Sequence, residues 1–132
     1  MADGQDRSDT DAGRGMRDIG EITGYHAHIY YEAETRAGAA ALRRAIIEAF
    51  PVALGRWRES PVGPHARAMY QVAFTPDLFH RFVPWLMLNR GPLAILVHPE
   101  TGDDVADHSN NALWLGEKLP VDLNFLRRVA NG

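Results

Sequence analysis

The chain has 132 residues, with 17 acidic side chains against 14 basic ones, a formal charge of −3 and no cysteine. That length favours one domain around one modest core, and the net acidity gives no electrostatic reason to bind nucleic acid or an anionic membrane. Disulfide and thiolate chemistry are excluded, no apolar run approaches the roughly 20 residues that span a bilayer, and a reducing cytoplasm is the expected compartment.

Residues 1–20 are rich in Asp, Arg and Gly and lack the apolar stretch of a secretory signal. Too little hydrophobic surface is present to offset the entropy of ordering, so a disordered tail is expected, followed by a single folded domain over residues 21–132. From Gly24 to Tyr31 the sequence alternates His26, His28 and Tyr30 with Ala27, Ile29 and Tyr31. Period-2 alternation predicts a strand with one aliphatic face and one imidazole-bearing face.

Thr35 is the expected N-cap of a helix running to about Phe50, with Leu42, Ala45, Ile46, Ala49 and Phe50 forming its apolar stripe. A short strand is expected over Ala53 to Arg58. A Pro- and Gly-containing loop then leads through Pro61-Val62-Gly63-Pro64-His65. Arg67 to Phe74 alternates again, with Tyr70, Val72 and Phe74 facing a core. Thr75-Pro76-Asp77 opens a second helix, carrying Phe79, Phe82, Val83, Leu86 and Met87 on one side. Pro84 should kink it, and Gly91 should end it in a left-handed cap. Leu93 to His98 is the last strand, closed by Pro99.

The order β-α-β-β-α-β is the ferredoxin-like split βαβ pattern: an α+β fold with a four-stranded antiparallel sheet and two helices on one face. The first strand would be central, flanked by the third and fourth. The open face would then carry His26, His28, Tyr30, Met69, Gln71, Ala73, Ala94, Leu96 and His98. A C-terminal extension, from Asp103 to Leu126, should fold over it, because such an apolar face left bare is a liability. Trp85 and Trp114, as exposed aromatics, point to a homodimer.

Five of the six histidines fall on this frame. His26 and His28, two apart, leave the same face of the first strand, and the antiparallel pairing makes His98 the neighbour of His26. These three are the expected metal ligands, imidazole being the main borderline ligand of a chain without cysteine. His65 would join them only if its loop bends inward, and His108 could close over the sheet edge. His80 is expected on the surface. Phe79, Phe82 and Trp85 read as packing, and Arg43-Arg44 and Asp103-Asp104 as solvated charges. No GxSxG, P-loop, GxGxxG or HExxH motif is present. A non-enzymatic metal- or small-molecule-binding module is the alternative reading.

Taken together, Tyr25-His26-Ala27-His28-Ile29-Tyr30-Tyr31, Pro61-Val62-Gly63-Pro64-His65, Pro84-Trp85-Leu86-Met87-Leu88-Asn89-Arg90, His98-Pro99-Glu100-Thr101-Gly102, Asp107-His108-Ser109 and Ala112-Leu113-Trp114-Leu115-Gly116 resemble the DOPA 4,5-dioxygenase family. The resemblance runs from about Ile22 to Leu126. It implies an Fe(II)-dependent extradiol dioxygenase that opens the ring of DOPA or a related catechol with O₂, with zinc or another divalent metal able to occupy the same site. His26, His28, His65, His98 and His108 are carried over by it. His65 and His108 are the expected acid–base residues, and Tyr30 and Arg67 are expected to hold a substrate phenol or carboxylate. The iron ligands are either three histidines, or histidines joined by Glu32 or by an acid of the 100–107 loop.

Overall fold

The alternation that begins at Gly24 becomes the eight-residue strand β1 (Gly24–Tyr31) in a computed structural model, which describes residues 15–131. Ala27, Ile29 and Tyr31 are buried against the helices, and His28 and Tyr30 are buried on the other face. The chain continues through α1 (Arg36–Ala49), β2 (Ala53–Leu54), β3 (Ala68–Phe74), α2 (Phe79–Asn89), β4 (Ile95–Glu100), α3 (Asp104–Asp107), β5 (Leu113–Leu115) and α4 (Leu123–Asn131). The fold is α+β. Among the described residues one antiparallel sheet of five strands runs in the order β2-β3-β1-β4-β5.

β1 is central between β3 and β4, as expected, but the sheet has five strands rather than four. The fifth comes from the C-terminal extension, which does not simply lie across the open face. Leu113, Trp114 and Leu115 pair with Val97, Leu96 and Ile95 and lengthen the sheet at its β4 edge. Strand parity then turns Leu115 to the helix-side core and Trp114 to the opposite face, where it stacks on Tyr30 at 5.9 Å. Leu119 and Val121 complete that second cluster with Met69, Ala94 and Leu96. Trp85 and Trp114, taken as exposed dimer contacts, are both half-buried against the chain's own core.

The helix-side core contains Leu42 and Ile46 from α1, Phe82, Val83 and Leu86 from α2, and Tyr70, Val72, Phe74, Ile95 and Val97 from the sheet. Each such side chain contributes about 1.5–3 kcal/mol on full burial. Met87 departs from expectation: it is half exposed, one position round the helix from Leu86. Pro76 opens a 3-10 turn (Pro76–Leu78) ahead of α2, Pro84 lies inside the helix, and Gly91 takes a φ of 57° just beyond it. Pro99 does not close β4 but lies within it. β5 reaches only Ile95 to Val97, so Pro99 stands on an unpaired edge where its missing N–H breaks no ladder bond.

The expected strand over Ala53 to Arg58 is shorter. Only Ala53 and Leu54 pair regularly, after which the chain bulges and rejoins β3 through a bridge from Arg58 to Met69. Most of the expected N-terminal tail lies outside the described residues, and its described end runs into a 3-10 turn at Ile19–Glu21. No described helix is long and apolar enough to cross a membrane.

Candidate metal centre

β1 and β4 set the register that starts the site. His26 lies directly opposite His98, and His28 lies two residues further along the same face. The three form one group whose ring nitrogens lie within 4.8 Å of one another. A second such group contains His28, His65 and His108. His28 belongs to both, so all five histidines gather around it, and it is 3% exposed.

His65 arrives because its loop does bend inward. Its backbone bridges Val121, and the Asp122 amide donates to the Pro64 carbonyl at 2.9 Å, so the segment before α4 pins the loop over the sheet. His108 arrives because α3 turns the chain back after β4. Asp103 caps this short helix through the Ala106 amide. Asp107, fully buried, accepts from the Thr101 amide and hydroxyl at 2.8 Å each and from the Asn111 amide group at 3.1 Å. His80 stays apart on α2.

Backbone carbonyls fix the tautomers of two rings. His98 Nδ1–H donates to the Pro99 carbonyl at 2.9 Å, and His108 Nδ1–H donates to the Asp104 carbonyl at 2.7 Å. A carbonyl can only accept, so each neutral ring presents a bare Nε2. His28 Nε2 and His98 Nε2 are 3.1 Å apart, and His28 Nδ1 is buried without a hydrogen-bond partner. Two Nε2 atoms this close need a proton or a cation between them. Two nitrogens each about 2.1 Å from one cation, at tetrahedral to right angles, are about 3.0–3.4 Å apart. The donor set fits a metal ion.

Protonation favours the same reading. Burial, followed by the charge of His108, lowers His98 to about 3 and His65 to about 4. Burial also pushes His28 well below the usual imidazole range, with the neighbouring histidines adding to it, and lowers the half-buried His26. These four rings are therefore neutral near pH 7, as ligation requires. Glu100 stands beside the group, its Oε2 3.4 Å from His98 Nδ1 and 3.6 Å from His26 Nδ1. Burial, with Asp104 and Asp107 nearby, raises its carboxyl above the ordinary value. It stands on the Nδ1 side of His98, where the Pro99 carbonyl already takes the N–H and orients the ring from behind.

Tyr30 and Arg67 occupy different settings. The Tyr30 hydroxyl is buried, 2.7 Å from His65 Nδ1, and burial raises it above the ordinary tyrosine range. Arg67 lies just before β3, next to Glu117 at 3.3 Å and Glu32 at 3.8 Å. It is four residues along from Gln71, the partner of His28, or about 13 Å by strand rise. Glu32 is thereby drawn away from the histidines. A cleft of about 290 Å³ opens beside His28 and His65, with Gly55, Met69 and Gln71 also lining it and with Arg56 and Arg58 along it. Sequence reading missed both arginines and Gly55, because the bulge after Leu54 hides their parity. No local pattern marks the bridge to Met69 that places Arg58.

Known proteins are similar to this chain over most of its length. The model of the Dopa 4,5-dioxygenase family matches residues 25–125. A 21.2 kDa uncharacterized protein of Botryotinia fuckeliana is 40% identical over 124 residues, covering 85% of this chain and 68% of that protein. The DOPA 4,5-dioxygenase of Amanita muscaria is 35% identical over 112 residues, covering 78% of this chain; the chain spans only 49% of that enzyme's length. A crystal structure from Nostoc punctiforme, described as a "putative dioxygenase", is 53% identical and superposes with a TM-score of 0.85, covering 86% of this chain and 99% of that one. A fold with buried histidines collected about His28, matched by the family model from Tyr25 to Phe125, places the chain in the Dopa 4,5-dioxygenase family.

Proposed function

We propose that the protein is a metal-dependent extradiol dioxygenase acting on DOPA or a related catechol, within the ferredoxin-like frame read from the sequence. The observation that carries this reading is the buried His28, shared by two histidine groups, with one ring nitrogen unpartnered and the other 3.1 Å from His98 Nε2. His26, His28 and His98 are the residues that would hold the metal, with Glu100 standing beside the Nδ1 atoms of His26 and His98. Fe(II) there would supply the redox chemistry and the common site at which a catecholate and dioxygen can meet.

The remaining residues handle protons and position. His65 is neutral, and either of its ring nitrogens can carry the proton, with the Tyr30 hydroxyl as acceptor or donor in turn. It can take a catechol proton at Nε2 while Nδ1–H donates to the Tyr30 oxygen. His108, with Nδ1 committed to the Asp104 carbonyl, offers Nε2 as the second proton-transfer atom. Tyr30 acts on the substrate through His65. Arg67 braces the far end of the face with Glu32 and Glu117. Trp114 and Leu119 shield this side from water.

The test is metal retention together with turnover. Purified anaerobically and loaded with Fe(II), the protein should hold the metal through gel filtration and convert DOPA to a yellow ring-opened product. His28→Ala and His98→Ala should each lose metal and product together. Metal retained by both variants would show that the ion sits elsewhere.

A further inference from the structure

The cleft beside His28 has a charged end that the metal centre does not use. From Ala53 the edge strand pairs with β3, the Gly55 amide donates to the Gln71 carbonyl at 2.7 Å, and the Arg58 amide donates to the Met69 carbonyl at 2.9 Å. Trp57, between the two arginines, turns to the helix side and stacks on Tyr31 and Tyr70. Arg58 bridges Met69, which faces the second cluster, so Arg58 shares the histidine-bearing face of the sheet. Arg56, in the bulge, stands next to it along the same cleft.

The position of Arg58 is fixed from several sides. Tyr31 donates its hydroxyl to the Arg58 carbonyl at 2.6 Å, and Arg43, behind the strand, donates to the Gly55 carbonyl at 2.9 Å. Gly55 leaves the floor open: a Cβ there would lie 3.3 Å from Gln71 Cβ. Among the described residues no carboxylate lies within ion-pair distance of Arg56 or Arg58, whereas Arg67 has two. Arg58 is two strands and one two-residue step from His28. That is about 12 Å between Cα atoms by sheet spacings, a span that an aromatic ring, a short side chain and an extended arginine would fill.

We infer that Arg58, helped by Arg56, is the specificity residue of the site and binds the carboxylate of a catechol whose ring lies at His28. The guanidinium fork pairs a carboxylate bidentately, which neither an amine nor an alkyl substituent can reproduce. The acidic side chain of DOPA is the group that Arg58 would hold. This rests on the ring-cleavage reading of the same site, and its test separates the two.

Equilibrium binding decides the inference. The full chain, loaded with redox-inert Zn²⁺, is titrated with 3-(3,4-dihydroxyphenyl)propanoate, 4-ethylcatechol and dopamine by calorimetry. The acid should bind roughly tenfold or more tighter than the other two. That ratio should fall toward one in Arg58→Gln, recover in part in Arg58→Lys, and keep its wild-type value in Lys118→Gln, across the separate cleft beside His108. Equal affinities in the wild type, an Arg58→Gln ratio unchanged, or a ratio lost in Lys118→Gln instead would each overturn it. Fe(II)-dependent turnover of the same three compounds tests the parent reading. Cleavage of all three at similar efficiency would sink the arginine assignment alone, and acid-selective binding without cleavage would sink ring opening alone.

Discussion

His65 and Tyr30 form the pair on which the proposed proton handling depends. Tyr30 stays a phenol because burial raises it, and His65 stays neutral because burial lowers it to about 4. The 2.7 Å bond between them fixes the ring plane while leaving the proton free to change sides. Tyr30→Phe leaves His65 Nδ1 buried without a partner, which should cost about 1–3 kcal/mol of stability. It should also lower kcat roughly tenfold or more, with KM little changed and the pH profile of kcat displaced. A Tyr30→Phe enzyme with a wild-type pH profile would place Tyr30 in packing alone. At this scale sequence reading went furthest on β1 and β4, where parity alone put His26, His28 and His98 on one face. It could not place His65, whose entry depends on a long-range bridge to Val121 that no local pattern announces.

α3 is the element that carries His108, and four residues cannot hold a helix together on their own. Its stability comes from Asp107, which gathers Thr101 and Asn111 around a fully buried carboxylate. Asp103 and Asp104 are exposed, as a solvated acidic turn should be. Asp103 is also the N-cap, and the Asp104 carbonyl holds His108. Asp107→Ala should cost about 1–3 kcal/mol in urea unfolding and lower kcat by freeing His108. Unaltered unfolding would show that the loop is held by other contacts. The same limit on sequence reading recurs in β5. Leu113–Leu115 is too short for its alternation to be decisive, and only pairing with β4 turns it into a strand. In β2 the bulge had the opposite effect, cutting a predicted strand to two residues and setting Arg58 onto the cleft.

The whole molecule buries a cluster of neutral imidazoles on one sheet face and an aliphatic core on the other. Keeping histidines neutral ties stability to pH. His65 near 4 and His98 near 3 are depressed below the ordinary value of about 6.5 in the unfolded chain. Their neutral burial costs nothing in protonation above that value, and the stability it permits is lost as the pH falls toward 4 and 3. In the metal-free protein the urea midpoint should hold above pH 7 and fall steadily between pH 6.5 and 4. A flat midpoint through that window would contradict neutral burial. Ile47, Met87 and Leu88 are exposed apolar side chains on the helical layer. A homodimer expected from the sequence would be checked by light scattering, with dissociation expected in Met87→Lys, Leu88→Lys if this surface is the contact.

In the proposed reaction, oxygen from O₂ enters an opened catechol ring at the His28 centre. Isotope labelling tests this most directly: Fe(II)-loaded protein is supplied with DOPA under ¹⁸O₂ and the product is weighed by mass spectrometry. One labelled oxygen should remain in the carboxylate of a single ring-opened product, the aldehyde oxygen exchanging with water, and His28→Ala should form no such product. Oxygen consumption that yields unlabelled quinone, or no consumption with metal still bound, would contradict it.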